Sequence, residues 1–366
     1  MYKPLAEIRL DRLKSNYQFL QGLVGESCIM AVVKADAYGH GLPEVAATLE
    51  ETGIHGFCVA LGTEVEELLS AGITRPILHM GRIHRQVFEL GHHSQVRLTV
   101  NDINDLDTIH GLARADQEIT VHMKVDTGMR RMGIPYSCAD KMIEKFSRYP
   151  NIRLEGVWSH LATAEEADRT FLKKQLEKFE NLVRRVKKRL PEVKYFHLAN
   201  SAALLTSPET HFNMVRPGLA LFGASPLCKP HGDLQPVMNF KAPVVLIKSV
   251  NAGESVGYSR LYTASKPGKI AILQAGYADG VPAEFCTRGY VCKNETAVPI
   301  LGKVAMDMTA VSADILPLKE EDMLSFWGNG LKGNRVETLA AIYNRLPYEY
   351  LTGVSKRVER VYTGNP

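Results

Sequence analysis

Eight short runs rich in β-branched and apolar residues recur between residues 29 and 218, at 29–34, 57–60, 76–80, 96–100, 119–125, 154–160, 195–200 and 213–218. Runs that are apolar throughout suit strands buried on both faces, as in a parallel sheet. The stretches between them, such as 63–71, 102–112, 138–149 and 166–190, are amphipathic and long enough for crossover helices. Eight strand–helix units predict an α/β fold with an N-terminal (β/α)8 barrel of TIM type over residues 1–230. Thr63 with Glu66 fits a capping box opening the first long helix after a strand.

Beyond Ser225 the texture changes to Pro, Gly and β-branched residues, with strand candidates at 242–250, 269–275, 296–301 and 308–311. A mainly β C-terminal domain is therefore expected over 231–366, with residues 1–10 as candidates to pair with it. A chain of 366 residues is long for one core, in keeping with two domains.

The formal charge of +4 arises from 44 basic against 40 acidic residues with no basic block, which argues against a nucleic-acid partner. The basic stretch 184–189 closes a long polar helix, where cations complement the dipole. Cys28, Cys58, Cys138, Cys228, Cys286 and Cys292 are scattered, without C-x-x-C pairs or metal-ligand spacing, as reduced thiols in the cytoplasm would be. The N-terminal stretch carries no apolar export segment, and no span suits a membrane. No metal is expected.

In a TIM barrel the C-terminal strand ends build the active site. Here the first run ends at Lys34 and opens into Ala-Asp-Ala-Tyr-Gly-His-Gly, a loop with two glycines. Desolvation at such a position would lower the amine's pKa toward nucleophilicity; a strand-end lysine reaching solvent is the alternative. The other runs deliver Lys124 and Arg131, His160, then His197, Asn200 and Ser201, and finally Arg216 before Pro217-Gly218. Ser201 and Gly218 suit a phosphate cradle, although a helix N-cap is the commoner use of such a serine. An amine on strand one, a phosphate cup after strands seven and eight and an arginine between them describe a pyridoxal 5'-phosphate site, with Lys34 forming the Schiff base.

Several ordered motifs carry a resemblance over nearly the full chain: Ala31–Gly41 around Lys34, Lys124 to Gly133, His197-Leu-Ala-Asn-Ser-Ala, Arg216-Pro-Gly-Leu, Gly257-Tyr258-Ser259, Gly276-Tyr277-Ala-Asp-Gly280 and Met306-Asp307. In these the chain resembles the bacterial alanine racemases, pyridoxal-phosphate enzymes of fold-type III. The resemblance implies a homodimer with shared active sites, converting L-alanine to D-alanine for the cell wall. Lys34 would hold the cofactor and serve one face of the substrate Cα, and Tyr258 of the partner subunit the opposite face. It also implies Arg216 at the pyridine nitrogen, a permanent cation that leaves the ring a weaker electron sink. Tyr38, Ser201, Gly218 and Leu219 match phosphate-binding positions, and His160 and Asn200 lie beside the cofactor. Arg131, and Met306 of the partner subunit, match substrate-carboxylate positions. Lys124 matches a lysine that many relatives carboxylate, able to position Arg131, while Tyr277 and Asp307 support the site.

Deprotonating a free phenol at neutral pH costs about 4 kcal/mol, so Tyr258 needs cations nearby. Many relatives place an arginine after Tyr-Ala-Asp-Gly, where this chain has Val281-Pro282-Ala283, and some carry a tyrosine where Lys356 stands. Glu165 and Lys303 match charged entrance positions. These departures leave serine or broader amino-acid racemisation as an alternative. A pyridoxal-phosphate decarboxylase and a non-catalytic pyridoxal-phosphate-binding protein are the other readings.

Overall fold

The computed structural model describes residues 3–114, 118–227, 229–328 and 334–364. The chain divides into two compact units: residues 17–37 with 42–221, and the remaining residues at either end together with 38–41. Strand β1 (Leu5–Arg9) belongs to the second unit.

The first unit is a closed barrel of parallel strands: β2 (Cys28–Val32), β3 (Gly56–Val59), β4 (Ile77–His79), β5 (Val96–Val100), β6 (Ile119–Asp126), β8 (Ile152–Trp158), β9 (Tyr195–His197) and β10 (Met214–Val215). A two-residue strand, β7 (Ile134–Pro135), pairs beside β6. Each barrel strand pairs with the next, and β10 closes onto β2 through Met214↔Cys28 and Val215↔Ile29. Nearly every strand residue is buried, because helices such as Leu42–Glu51, Gly62–Ser70 and Thr170–Arg189 cover the outside while side chains fill the inside.

Several boundaries differ from the sequence expectation. The last barrel strand is two residues long, not 213–218: Arg216 N still donates to Ala199 O at 3.0 Å and Pro217 O accepts from Val32 N at 2.8 Å, but Pro217 has no N–H with which to continue the ladder. The long helix begins at Thr170 rather than 166, with the Asp168 carboxylate accepting from Thr170 N. Thr63 and Glu66 form no capping box. Glu64, one turn inside the helix that starts at Gly62, accepts instead from Ala60 N at 2.8 Å and Leu61 N at 2.9 Å through Oε2. Its other oxygen is committed elsewhere, to the segment after Lys34. Cys228 lies outside the described residues; Cys28, Cys58, Cys138, Cys286 and Cys292 are free thiols.

The second unit is built on one long strand, β11 (Met238–Val250), that serves two sheets. Register shifts between Phe240 and Lys241 and between Val244 and Leu246 bend it. One half pairs with β1 and β18 (Met323–Trp327), with β15 (Tyr290–Lys293) and β16 (Thr296–Pro299) beyond β18 and β19 (Glu359–Thr363) beyond β1. The other half pairs with β14 (Gly268–Leu273), which carries β17 (Thr309–Ser312). A separate hairpin joins β12 (Ser255–Val256) to β13 (Tyr262–Thr263). Phe240 packs between Phe326 at 5.3 Å and Trp327 at 4.8 Å, ring centroid to centroid, as the aromatic centre of this unit. No described helix is long and apolar enough to cross a membrane.

Candidate active site

Lys34 stands two residues past the end of β2, and the chain beyond it makes a tight turn rather than an open glycine loop. Ala35, Asp36, Ala37 and Tyr38 all have positive φ, between 50° and 56°, and Gly39 continues at 79°: one turn of left-handed helix made chiefly of residues that disfavour it. Each such residue costs roughly 1–2 kcal/mol, so the surroundings must hold the turn. Ala37 N donates to Val33 O at 2.9 Å, Ala35 N donates to Glu64 Oε1 at 2.6 Å, and the Asp36 carboxylate accepts from Leu42 N at 2.9 Å. Glu64 thus ties the residue beside Lys34 to the next strand–helix junction.

Lys34, Lys124, Arg131 and Arg216 converge at the C-terminal end of the barrel, around His160. The Lys34 pKa is lowered by burial and by Arg131, with Glu64 pulling the other way. Lys124, almost wholly buried, is pushed down to about 8 by burial and by Arg131 and Arg216. His160 is held well below the ordinary imidazole value by burial and then by all four cations, so it is neutral. Trp158, not singled out from the sequence, is the platform beneath two of them: Lys124 Nζ lies 4.3 Å and the Arg216 guanidinium 4.7 Å from its ring. Gln175, fully buried, pins the loop that carries His160 by donating to His160 O at 3.0 Å and Thr127 Oγ1 at 3.1 Å and accepting from Ala162 N at 2.9 Å.

The Lys124 shift has a measurable consequence. Between about 8 and 10.5 the unfolded chain still binds a proton that the folded chain has released, so stability rises with pH through this window and the penalty is complete below it. In bicarbonate-free buffer the native chain is expected to gain on the order of 3 kcal/mol relative to Lys124→Met across that window, read from urea midpoints. Parallel pH profiles for the two proteins would show that Lys124 carries no such penalty.

After β10, Gly218 N at 2.9 Å and Ala220 N at 3.3 Å both donate to Ser201 Oγ, bringing two backbone donors and a hydroxyl together. This set fits a phosphate group, whose oxygens can take over the same donors. Ser201 is not the helix N-cap; Asn200 is, its Oδ1 accepting from Ala203 N at 3.0 Å. Leu219 is fully buried between the donor residues. Arg216 Nη2 donates to Ser159 O at 2.7 Å and Leu198 O at 3.3 Å, and Nη1 to His197 Nδ1 at 2.7 Å, so the guanidinium is clamped from two strand ends while Nε takes no partner among the described residues.

In the other unit, Gly276–Gly280 and Met306-Asp307 come together. Tyr277 N donates to Ala305 O and Ala278 N to Met306 O, both at 3.0 Å. A Cβ on Gly276 would sit 2.2 Å from Ala305 O and 2.3 Å from Met306 O, so only glycine permits this approach. Arg357, unnoticed in the sequence, straps the two segments: Nη2 is 2.7 Å from the Asp307 carboxylate and Nε 3.3 Å from that of Asp279. Tyr38, also in this unit, packs against Phe222 and Tyr348. Tyr258 projects from a turn in which Gly257, Ser259 and Arg260 all have positive φ, and it is 71% exposed. It borders an open hollow of about 1080 Å³ that extends to Lys303, Ala305 and Met308.

Against known families, residues 8–226 match the model for the alanine racemase N-terminal domain and residues 237–362 that for the C-terminal domain. This chain belongs to the alanine racemase family. Among relatives of the family, alanine racemase 2 of Caldanaerobacter subterraneus subsp. tengcongensis is 34% identical over 97% of this chain and 94% of its own. The alanine racemase of D-cycloserine-producing Streptomyces lavendulae superposes with a TM-score of 0.94 at 31% identity, over 100% of this chain and 98% of that one. The alanine racemase of Bartonella henselae, solved with covalently bound pyridoxal phosphate, gives 0.89 at 28% identity over 99% and 100%. The closed barrel followed by a mainly β domain is thus the architecture of the alanine racemase family.

Proposed function

We propose that this chain racemises alanine as a pyridoxal 5'-phosphate-dependent homodimer. The observation that carries the reading is the cluster of Lys34, Lys124, Arg131 and Arg216 around neutral His160, beside the Ser201, Gly218 and Ala220 donors. Lys124 and Arg216 are buried and Lys34 is half-buried, and cations drawn out of water in this way call for anions, of which a phosphate and an amino-acid carboxylate are examples. The cofactor, when bound, supplies the electron-withdrawing ring that stabilises negative charge at the substrate Cα.

The residues divide the remaining work. Ser201 and the backbone at Gly218 and Leu219 would hold the phosphate; Asn200 orders the start of its helix, and Arg216 would present a donor to the ring nitrogen. Lys34 would hold the cofactor through its side-chain amine, and the same amine would move a proton on one face of the substrate Cα, for which burial suits it by favouring the neutral form. The partner subunit's Tyr258 moves the proton on the other face, since inversion at carbon needs a base on each side. Arg131, with the partner subunit's Met306, receives the substrate carboxylate. Lys124, uncharged more readily than an ordinary lysine, is suited to carboxylation, which would place a negative group beside Arg131. Tyr277 and Asp307 steady the segment bearing Met306.

The dimer is supported by Tyr258, Met306 and Tyr277 being 71%, 52% and 50% exposed, large side chains that a second copy would cover. The free thiols agree with a reducing cytoplasm. Reconstituted protein incubated with L-alanine or L-serine, followed by chiral separation, tests the reading. Rapid convergence of alanine alone to the racemate is expected. Comparable serine turnover would tie Ala283 and Lys356 to a broader specificity, and carbon dioxide release without racemisation would replace the reading by the decarboxylase one.

A further inference from the structure

Five polar side chains form one hydrogen-bonded line through the barrel interior, and the direction of donation along it is set at both ends. Arg216 has only N–H groups, so Nη1 donates to His197 Nδ1 at 2.7 Å. His197 must then carry its proton on Nε2, which faces His122 Nδ1 at 2.9 Å. His122 in turn carries its proton on Nε2, 3.4 Å from Glu155 Oε2. An ionised carboxylate only accepts, and Glu155 also takes Arg97 Nε at 2.8 Å and Nη2 at 3.3 Å. The other tautomer of either ring would set two donors or two bare nitrogens against each other.

The line is built into the barrel's packing. His122, His197 and Arg216 are at most 3% exposed. A Cβ on Gly156 would stand 2.6 Å from His122 Nδ1, so β8 keeps a glycine where the ring passes. Tyr195 stacks on His122 and Trp158 on His197, fixing both ring planes. Burial holds both imidazoles below their ordinary pKa, with Arg216 adding to the effect at His197. Glu155 is lowered despite its burial by hydrogen bonds from His122 and Arg97; Arg153 Nη1 lies 3.5 Å from it, and His55 and Tyr195 are further titratable neighbours.

We propose that His122, Glu155 and Arg97 are positioning residues for Arg216: they lock His197 as an Nδ1 acceptor and thereby keep the guanidinium oriented with Nε toward the cofactor's ring nitrogen. No carboxylate touches Arg216 among the described residues, so the aligned dipoles of two neutral imidazoles carry the stabilising effect of Glu155 to it. The catalytic consequence rests on Arg216 facing the ring; the tautomer order does not.

Long-range ¹H–¹⁵N spectra of the cofactor-free protein test the order directly. His122 and His197 are both expected as neutral Nε2–H tautomers that do not titrate through the neutral range. The double variant Arg97→Met/Glu155→Leu removes the charge pair without orphaning either partner. In it, His197 is expected to lose its single-tautomer pattern, and kcat to fall about tenfold with KM within about twofold, as when outer partners of an active-site group are lost. Glu155→Gln, which keeps an acceptor oxygen, should restore both. A wild-type ring protonated on Nδ1, or a folded double variant in which His197 keeps its pattern, overturns the proposal. An intact pattern in a protein that racemises nothing would instead count against the functional reading.

Discussion

Lys34→Ala is expected to give a folded protein that binds pyridoxal phosphate only reversibly and racemises at least about 10⁴-fold more slowly, since it loses both the covalent anchor and a base. The fold should survive, because burial and Arg131 already disfavour the charged amine, and truncation removes that penalty along with the group. The hydrogen bond from Ala35 N to Glu64 uses backbone and persists in the variant. The sharp measurement is borohydride reduction followed by peptide mapping: the wild type should carry the cofactor on Lys34 and the variant on no lysine. Lys124 makes this a real contest, since its pKa is also depressed, to about 8, within the same cluster. An adduct on Lys124 in the wild type would overturn the assignment of the anchor.

Tyr258→Phe should separate binding from inversion. The ring is 71% exposed and borders a hollow in its own unit, so loss of the hydroxyl removes no buried contact and stability should be unchanged. Cofactor attachment should also persist. Exchange of the Cα hydrogen with solvent deuterium is expected to fall by about 10²–10⁴ for one enantiomer while the other keeps exchanging through Lys34. Undiminished exchange from both would leave Tyr258 without a role as base and send the search to another group on that face.

The barrel was legible because parallel strands buried on both faces leave uninterrupted apolar runs, and the polar residues that end those runs stand out by contrast. Lys34, Lys124, His160 and Arg216 were all readable in this way. His122 and Glu155 lie inside the runs at 119–125 and 154–160, where a charged or imidazole side chain in a buried strand was the signal available; their partnership with Arg97 and His197 depends on inter-strand register, which no local pattern carries. The left-handed turn was hidden because Ala35, Ala37 and Tyr38 have no preference for it, and tertiary contacts impose it. In the second unit, β1 and β19 pair Leu5 with Glu359, a registry that short alternating patterns near the two chain ends do not reveal.

The turn after Lys34 also acts as a filter on substitution. A β-branched side chain is a conformational outlier at positive φ, so valine, isoleucine and threonine are poorly tolerated at four successive positions whatever space surrounds them. Drift there is confined largely to small or Asx residues, plus the single tyrosine that packs against Phe222. Backbone handedness, independently of any contact with a substrate, narrows the alphabet that this stretch can use.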